Sequence, residues 1–213
     1  MQALKVTVVP VTAFEQNCSI VACTATNLAA IVDPGGDVAR IRDAIDQLKV
    51  EPEKILLTHG HIDHAGGAAE LAQALSLPIE GPDEKDGFLL SGLESQGARF
   101  GITDVRNVTP TRWLVEGETV SIGDLTFNVL HVPGHTPGHL VFVNAPARFA
   151  LVGDTLVQGS VGRTDFAYGN HEQLIDGIRT KLLPLGDDVT ILPGHGPAST
   201  IGAERRSNGF LQD

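Results

Sequence analysis

Cysteine is scarce: Cys18 and Cys23 are the only two in 213 residues. On a single strand their odd separation points them to opposite faces, so they are not expected to pair. Two small buried hydrophobes in a reduced protein is the expectation, which sets aside a disulfide-stapled scaffold. Aromatic residues are also few, at 5%, and Gly is high at 24, so the core must come from Val, Leu, Ile and Ala between many tight turns. No apolar run approaches the length of a membrane span. The opening Met1-Gln2-Ala3-Leu4-Lys5 lacks the apolar stretch of an export signal, so a cytoplasmic protein with no membrane partner is expected. Basic residues number 15 against 26 acidic ones, a net charge of −11 that repels a phosphate backbone. With no local basic patch, nucleic acid is not an expected partner. Apolar residues at 42% and charged residues at 19% are a globular composition. No linker, long-period repeat or low-complexity tract divides the chain, so residues 1–213 are expected to form one domain.

The periodicity predicts a layered α/β arrangement. Lys5 to Val9, Ser19 to Ala22 and Leu28 to Val32 read as strands. Asp37 is placed to cap a helix in which Val38, Ile41, Ile45 and Leu48 recur at helical spacing. Lys54 to Thr58 is a buried strand, and Gly66 to Leu75 a second helix closed before Pro78. Between 81 and 111 only a short helix around Glu84 to Leu90 is legible. Val120 to Ile122, Leu125 to Val132, Leu140 to Val143 and Arg148 to Val152 read as consecutive strands. His171 to Leu183 is an amphipathic helix ended by Pro184, and Val189 to Leu192 a last strand.

Chemistry concentrates where strands end. Thr58-His59-Gly60-His61-Ile62-Asp63-His64 places three imidazoles and a carboxylate directly after an apolar strand, donors that suit zinc and its neighbours. His135, in Gly134-His135-Thr136-Pro137-Gly138-His139, Asp154, after Gly153, and His195, in Pro193-Gly194-His195-Gly196, repeat the rule. One such dipeptide means little, but together in this order they point to a metal site. A structural zinc site is usually closed by four ligands and often rich in Cys, so seven candidates without Cys favour chemistry.

These motifs resemble the metallo-β-lactamase superfamily, and within it the short bacterial type of the glyoxalase II-like (hydroxyacylglutathione hydrolase-like) branch. The likeness runs from Asp33-Pro34-Gly35 to Pro193-Gly194-His195-Gly196 and includes Gly162-Arg163-Thr164-Asp165-Phe166. It implies a four-layer αββα sandwich with the site at one edge, between the sheets. His59, His61 and His135 would hold one metal, Asp63, His64 and His195 a second, and Asp154 would bridge them. The cofactors implied are two divalent ions, zinc first, with iron or manganese as alternatives. A water shared between them would attack a carbonyl, oriented by Asp63. The substrate implied is a small glutathione-derived thioester, S-D-lactoylglutathione foremost. Two departures stand out. Gly60 replaces a third consecutive histidine found in many glyoxalase II enzymes, and the chain lacks the C-terminal helical region that contributes glutathione contacts in longer relatives. Glu204-Arg205-Arg206 could offer some positive charge instead.

Other residues keep two readings. His139 could support the ligands or be purely structural, and Asp33 could orient a ligand or cap the Pro34-Gly35-Gly36 turn. His131 is expected to pack and His171 to be exposed. Arg163 could anchor a substrate carboxylate or pair with Asp165, and Tyr168 on the same loop could touch substrate. The competing activities are an iron-dependent persulfide dioxygenase and hydrolysis of another ester, lactone or amide. Oligomeric state is not legible.

Overall fold

The computed structural model describes residues 3–212, so Met1, Gln2 and Asp213 lie outside it. Chain order is β1 (Leu4–Val11), β2 (Gln16–Cys23), β3 (Leu28–Val32), α1 (Val38–Leu48), β4 (Glu51–Leu56), α2 (Ile62–Ala65), α3 (Ala68–Leu75) and β5 (Ile79–Glu80). A 3-10 turn, Glu84–Asp86, leads into α4 (Gly87–Leu90) and α5 (Leu93–Phe100). The second half runs β6 (Thr119–Ile122), β7 (Leu125–His131), β8 (Leu140–Asn144), β9 (Phe149–Gly153), β10 (Leu156–Val157), β11 (Ser160–Val161), α6 (His171–Gly177), β12 (Thr190–Pro193), β13 (Ser199–Thr200) and α7 (Ile201–Ser207).

Two sheets result, in the orders β1-β2-β3-β4-β5 and β13-β12-β9-β8-β7-β6. The strand period of two sorts their side chains between layers. In β2 and β3, Cys18, Ile20, Ala22, Ala29 and Ile31 face a core shared with α1, α3 and α5. Their alternates Val21, Ala30 and Val32 meet Phe127, Val129, Leu140 and Phe142 between the sheets. On the far side Val141, Val143, Ala150 and Val152 pack against Leu174, Ile178 and Leu182. Helix, sheet, sheet and helix form the expected αββα sandwich. The central strands, covered on both faces, read as near-continuous apolar runs, while the outer β6 and β7 alternate.

Five differences from the sequence reading have physical causes. The helix foreseen over 66–75 begins only at Ala68, and a separate helical turn, α2, precedes the Gly66-Gly67 pair, so Asp63 and His64 sit on that turn and not on a loop. Asp37 does not cap α1 with its side chain; it is left-handed, and its carboxylate accepts from the Thr12 amide at 2.6 Å. Helix α5 was missed because eight residues containing a glycine give little periodicity. After Gly177 the last long helix passes into a π-helical stretch, Ile178–Leu182, and a 3-10 turn. The β4 strand ends at Leu56, because the Thr58 amide turns from the sheet ladder to the Asp33 carboxylate at 2.8 Å. Cys18 and Cys23 are both free and buried on opposite faces of β2, as the odd spacing requires. No helix among the described residues is long and apolar enough to cross a membrane.

Candidate metal centre

Strands β3, β4, β7, β9 and β12 all end at one edge of the sandwich, and the polar motifs follow those ends. The two sheets are joined there: the Leu140 amide donates to Thr58 at 2.8 Å and the Asn17 amide to Gly194 at 2.8 Å. Gly153, at φ +49°, turns the chain out of β9, and a Cβ there would lie 2.6 Å from His139 Nε2 and 2.7 Å from Thr58 Oγ1. Only glycine lets Asp154 approach so closely.

All seven sequence candidates meet at this edge. His59, His61 and His135 form one group and Asp63, His64, Asp154 and His195 another, with the donor atoms of each group within 4.8 Å of one another. Asp154 lies between them, with Oδ1 at 3.3 Å from His64 Nε2 and Oδ2 at 3.6 Å from His135 Nε2 and 3.7 Å from His195 Nε2. Asp63 Oδ2 lies 2.9 Å from His195 Nε2.

Four of the five imidazoles are held from behind through the nitrogen that points away from the group. His59 Nδ1 meets Thr58 Oγ1 at 3.0 Å, and His61 Nε2 meets Tyr168 Oη at 2.8 Å. His64 Nδ1 meets Asp33 Oδ2 at 2.8 Å, and His135 Nδ1 meets the Arg163 carbonyl at 2.7 Å. Such outer bonds fix tautomer and ring orientation and leave the inner nitrogen's lone pair for a ligand. Asp33 serves two rings, since Thr58 Oγ1 also donates to its Oδ2 at 2.6 Å. Of the two sequence readings for Asp33, the one that orients a histidine is the one built. Asp33 also comes within reach of His59 and His64 as a third donor group, but Thr58 and His64 already engage its oxygens.

Burial sets the charge states. Desolvation and neighbouring imidazoles push His59 well below the ordinary histidine value and His61 down to about 3. Desolvation would lower His64 too, but the carboxylates of Asp154 and Asp63 hold it well above that value. Asp154 is half-buried, and although desolvation would raise its carboxyl, His64 and the other rings keep it well below the usual carboxylate range. The two carboxylates beside the neutral rings of His59 and His61 make an electrostatic well for cations.

Sequence reasoning missed two supports, Asp86 and Asn17. Asp86 is fully buried and its carboxylate accepts from the Gly60 amide at 2.9 Å, Thr136 Oγ1 at 2.7 Å and the Gly138 amide at 2.6 Å. It ties the first motif to the second, and burial pushes it up to about 6. A Cβ on Gly60 would sit 2.8 Å from Leu89 Cβ, so α4 occupies the space that a third histidine needs. Asn17 Nδ2 donates to the Pro193 and Gly196 carbonyls at 3.0 and 2.8 Å, fixing the loop that carries His195. His139 is buried and its Nε2 accepts from the Asp154 amide at 3.0 Å, so it positions Asp154. His131, half-buried, clips the same loop through the Pro137 carbonyl at 2.8 Å, while His171 is exposed.

The centre opens into a cavity of about 820 Å³ bordered by Asp63, His135, Asp154 and His195 and by aromatic side chains. Tyr168 borders it, stacks on Phe166 at 5.3 Å, and has its hydroxyl pushed up to about 12 by burial and by Asp86. Arg163 borders it as well, but its guanidinium pairs with Asp165 through two 3.0 Å bonds, the alternative foreseen to a substrate role. Glu204, Arg205 and Arg206 do not reach the cavity. Glu204 is buried against the Gly159 amide at 2.8 Å, and both arginines face Asp187.

A family model of the metallo-β-lactamase superfamily matches residues 11–195, a span that contains all seven candidate ligands. The chain belongs to that superfamily. Hydroxyacylglutathione hydrolase GloC of Haemophilus influenzae is 47% identical over 209 residues, covering 98% of both chains. Among solved structures, BLEG-1 B3 metallo-β-lactamase superposes with a TM-score of 0.90 at 31% identity, covering 98% of this chain and 100% of that one. TTHA1623 in a di-iron-bound form superposes at 0.86 with 32% identity, covering 96% and 100%. The residues present fit the two divalent ions the superfamily implies. His64 Nε2, His135 Nε2 and Asp154 Oδ1 are buried without a hydrogen-bond partner. Buried polar atoms left so are costly unless a ligand satisfies them, and imidazole with carboxylate is a donor set for zinc, iron or manganese.

Proposed function

We propose that this chain is a two-metal hydrolase of glutathione thioesters, with S-D-lactoylglutathione cleaved to D-lactate and glutathione. The observation that carries the reading is the ring of inner nitrogens, four of the five imidazoles backed by an outer partner, around a carboxylate that faces both groups. The thioester part of the reading leans on the 47% identity to the Haemophilus hydrolase. His59, His61 and His135 would hold one ion, Asp63, His64 and His195 the other, and Asp154 both.

Ions bound there supply a water of lowered pKa and polarisation of the scissile carbonyl. Asp63, on the rim of the cavity, has a carboxylate that accepts a hydrogen bond from the attacking water and aims its lone pair at the carbonyl carbon. Tyr168, Thr58, Asp33 and the Arg163 carbonyl keep the rings from rotating while charge develops. The new C–O bond forms as the C–S bond breaks, and the sulfur leaves as a thiolate whose conjugate thiol has a pKa of about 8.5. That leaving group needs no strong general acid, which suits a cavity whose carboxylates and rings are taken up in the centre.

Hydrolysis of a β-lactam or another cyclic amide or ester is the second reading, favoured by the close superposition of BLEG-1. The iron-dependent persulfide dioxygenase foreseen as an alternative would use one ion, so metal stoichiometry and oxygen uptake separate it from the hydrolase. Thioester absorbance followed on purified protein, with metal content measured on the same sample, tests the proposal. Turnover of S-D-lactoylglutathione at roughly 1–10³ s⁻¹ is expected. Hydrolysis of a β-lactam in its absence, or oxygen uptake with a persulfide, would overturn it.

A further inference from the structure

The cavity beside the metal centre holds half of the aromatic side chains of the molecule. Phe14, Phe88, Phe100, Phe166 and Tyr168 border it, out of 8 Phe, 1 Tyr and 1 Trp. Phe100 is 60% exposed and Phe88 49%, an apolar rim of the kind that monomeric surfaces rarely keep without use. Phe14 and Phe100 meet edge to face at 5.8 Å, and Phe88 meets Tyr168 at 5.3 Å. Between the rims stands α5, the helix that periodicity did not show.

Helix α5 is tied down on one side and open on the other. Leu93 is fully buried in the core under the first sheet, and a Cβ on Gly97 would come within 3.6 Å of Ile62 Cδ1, so the helix lies directly on α2 and its Asp63 and His64. Gln96 Nε2 donates to the Leu89 carbonyl at 3.1 Å and fixes α5 to α4. Ser95, Gln96 and Arg99, which fall on one helical face by their spacing, border the cavity.

Arg99 and Arg163 are the guanidinium groups on that border. Arg163 is engaged on both sides of its fork by Asp165. The Arg99 guanidinium forms no hydrogen bond or ion pair with any described residue. In a chain of net charge −11, an anionic substrate needs a local cation to enter, and an unpaired planar fork matches a carboxylate bidentately.

We propose that Arg99 is the specificity-determining anchor of the cavity, binding a carboxylate of the thiol half of the thioester while the aromatic rims hold its apolar part. The inference rests on the thioester reading above. It assigns recognition of the glutathione portion to α5, the helix that borders the cavity beside the metal centre.

The test compares S-D-lactoylglutathione with the uncharged lactoyl thioester of N-acetylcysteamine, using wild type, Arg99→Ala, Arg99→Lys and, as a remote charge control on α1, Arg42→Ala. Loss of a charge-assisted bond predicts a rise in KM of about tenfold for the glutathione thioester in Arg99→Ala, with a smaller rise for the neutral one. Arg99→Lys should recover part of that loss, and Arg42→Ala should behave as wild type. An unchanged KM, or equal rises on both substrates, would overturn the anchor while leaving the hydrolase reading standing. A metal-loaded wild type that turns over neither thioester would overturn both.

Discussion

Asp33 accepts three hydrogen bonds, from the Thr58 amide at 2.8 Å, Thr58 Oγ1 at 2.6 Å and His64 Nδ1 at 2.8 Å, in a site only 3% exposed. Replacing it with asparagine keeps the shape and tolerates the backbone, which is left-handed at φ +51°. It removes the charge and turns one acceptor oxygen into a donor. The amide can place its oxygen toward His64 and Thr58 Oγ1, leaving the Thr58 N–H without an acceptor at a cost of about 1–3 kcal/mol in folding. His64 then leans on a neutral acceptor, and changes behind a ligand of this kind weaken metal binding about 10- to 100-fold. His59 is coupled through Thr58 Oγ1, so its group should weaken too, by less. Competition with a calibrated chelator reads the affinity of each ion, and thermal unfolding reads the stability. An Asp33→Asn protein whose two affinities match wild type would refute the claim that Asp33 orients the ring.

Asp86 gives a pH signature. Burial lifts it from an ordinary 3.8 to about 6, so the folded protein holds its proton more tightly than the unfolded chain. Its contribution to stability is therefore largest below pH 3.8 and is lost as pH rises through about 6. Relative to Asp86→Asn, wild type should lose stability between these values, and a flat difference in denaturant midpoints across the range would contradict this. Arg163 shapes the site through its backbone carbonyl, while its side chain pairs with Asp165 at the surface, 72% and 69% exposed. Arg163→Ala should therefore change KM for charged and neutral thioesters alike by less than about twofold, since exposed pairs contribute little. A selective rise with the glutathione thioester would restore its guanidinium as a substrate contact.

Legibility followed how locally each feature is encoded. The convergence of the seven candidate side chains was readable because strand ends deliver polar residues in tight motifs, and strand edges came out within a few residues because the central strands are buried on both faces. The supports were harder to see. Asp86 lies in a stretch with no clear periodicity, yet it binds Gly60 and Gly138, which are 26 and 52 residues away. Asn17 reaches 176 residues to Pro193, a link that only the folded edge reveals. Gly60 looked like a departure from a histidine run, and the space it leaves is filled by Leu89 of α4, a contact between separate segments that the sequence does not show. Helix boundaries failed where glycine pairs interrupt the chain, as at Gly66-Gly67. The choice between readings of Arg163 turned on a neighbour two residues away that could be named from the sequence but not ranked.

The central claim is a paired metal centre joined by one carboxylate. Asp154 is the only side chain with oxygens facing both donor groups among the described residues, at 3.3 Å from His64 and 3.6 Å from His135. Elemental analysis of wild type and Asp154→Ala, purified side by side and checked for folding by circular dichroism, tests this most directly. The account predicts about two ions per wild-type chain and well under one in folded Asp154→Ala, with activity lost in step. A folded Asp154→Ala protein that keeps both ions would contradict it.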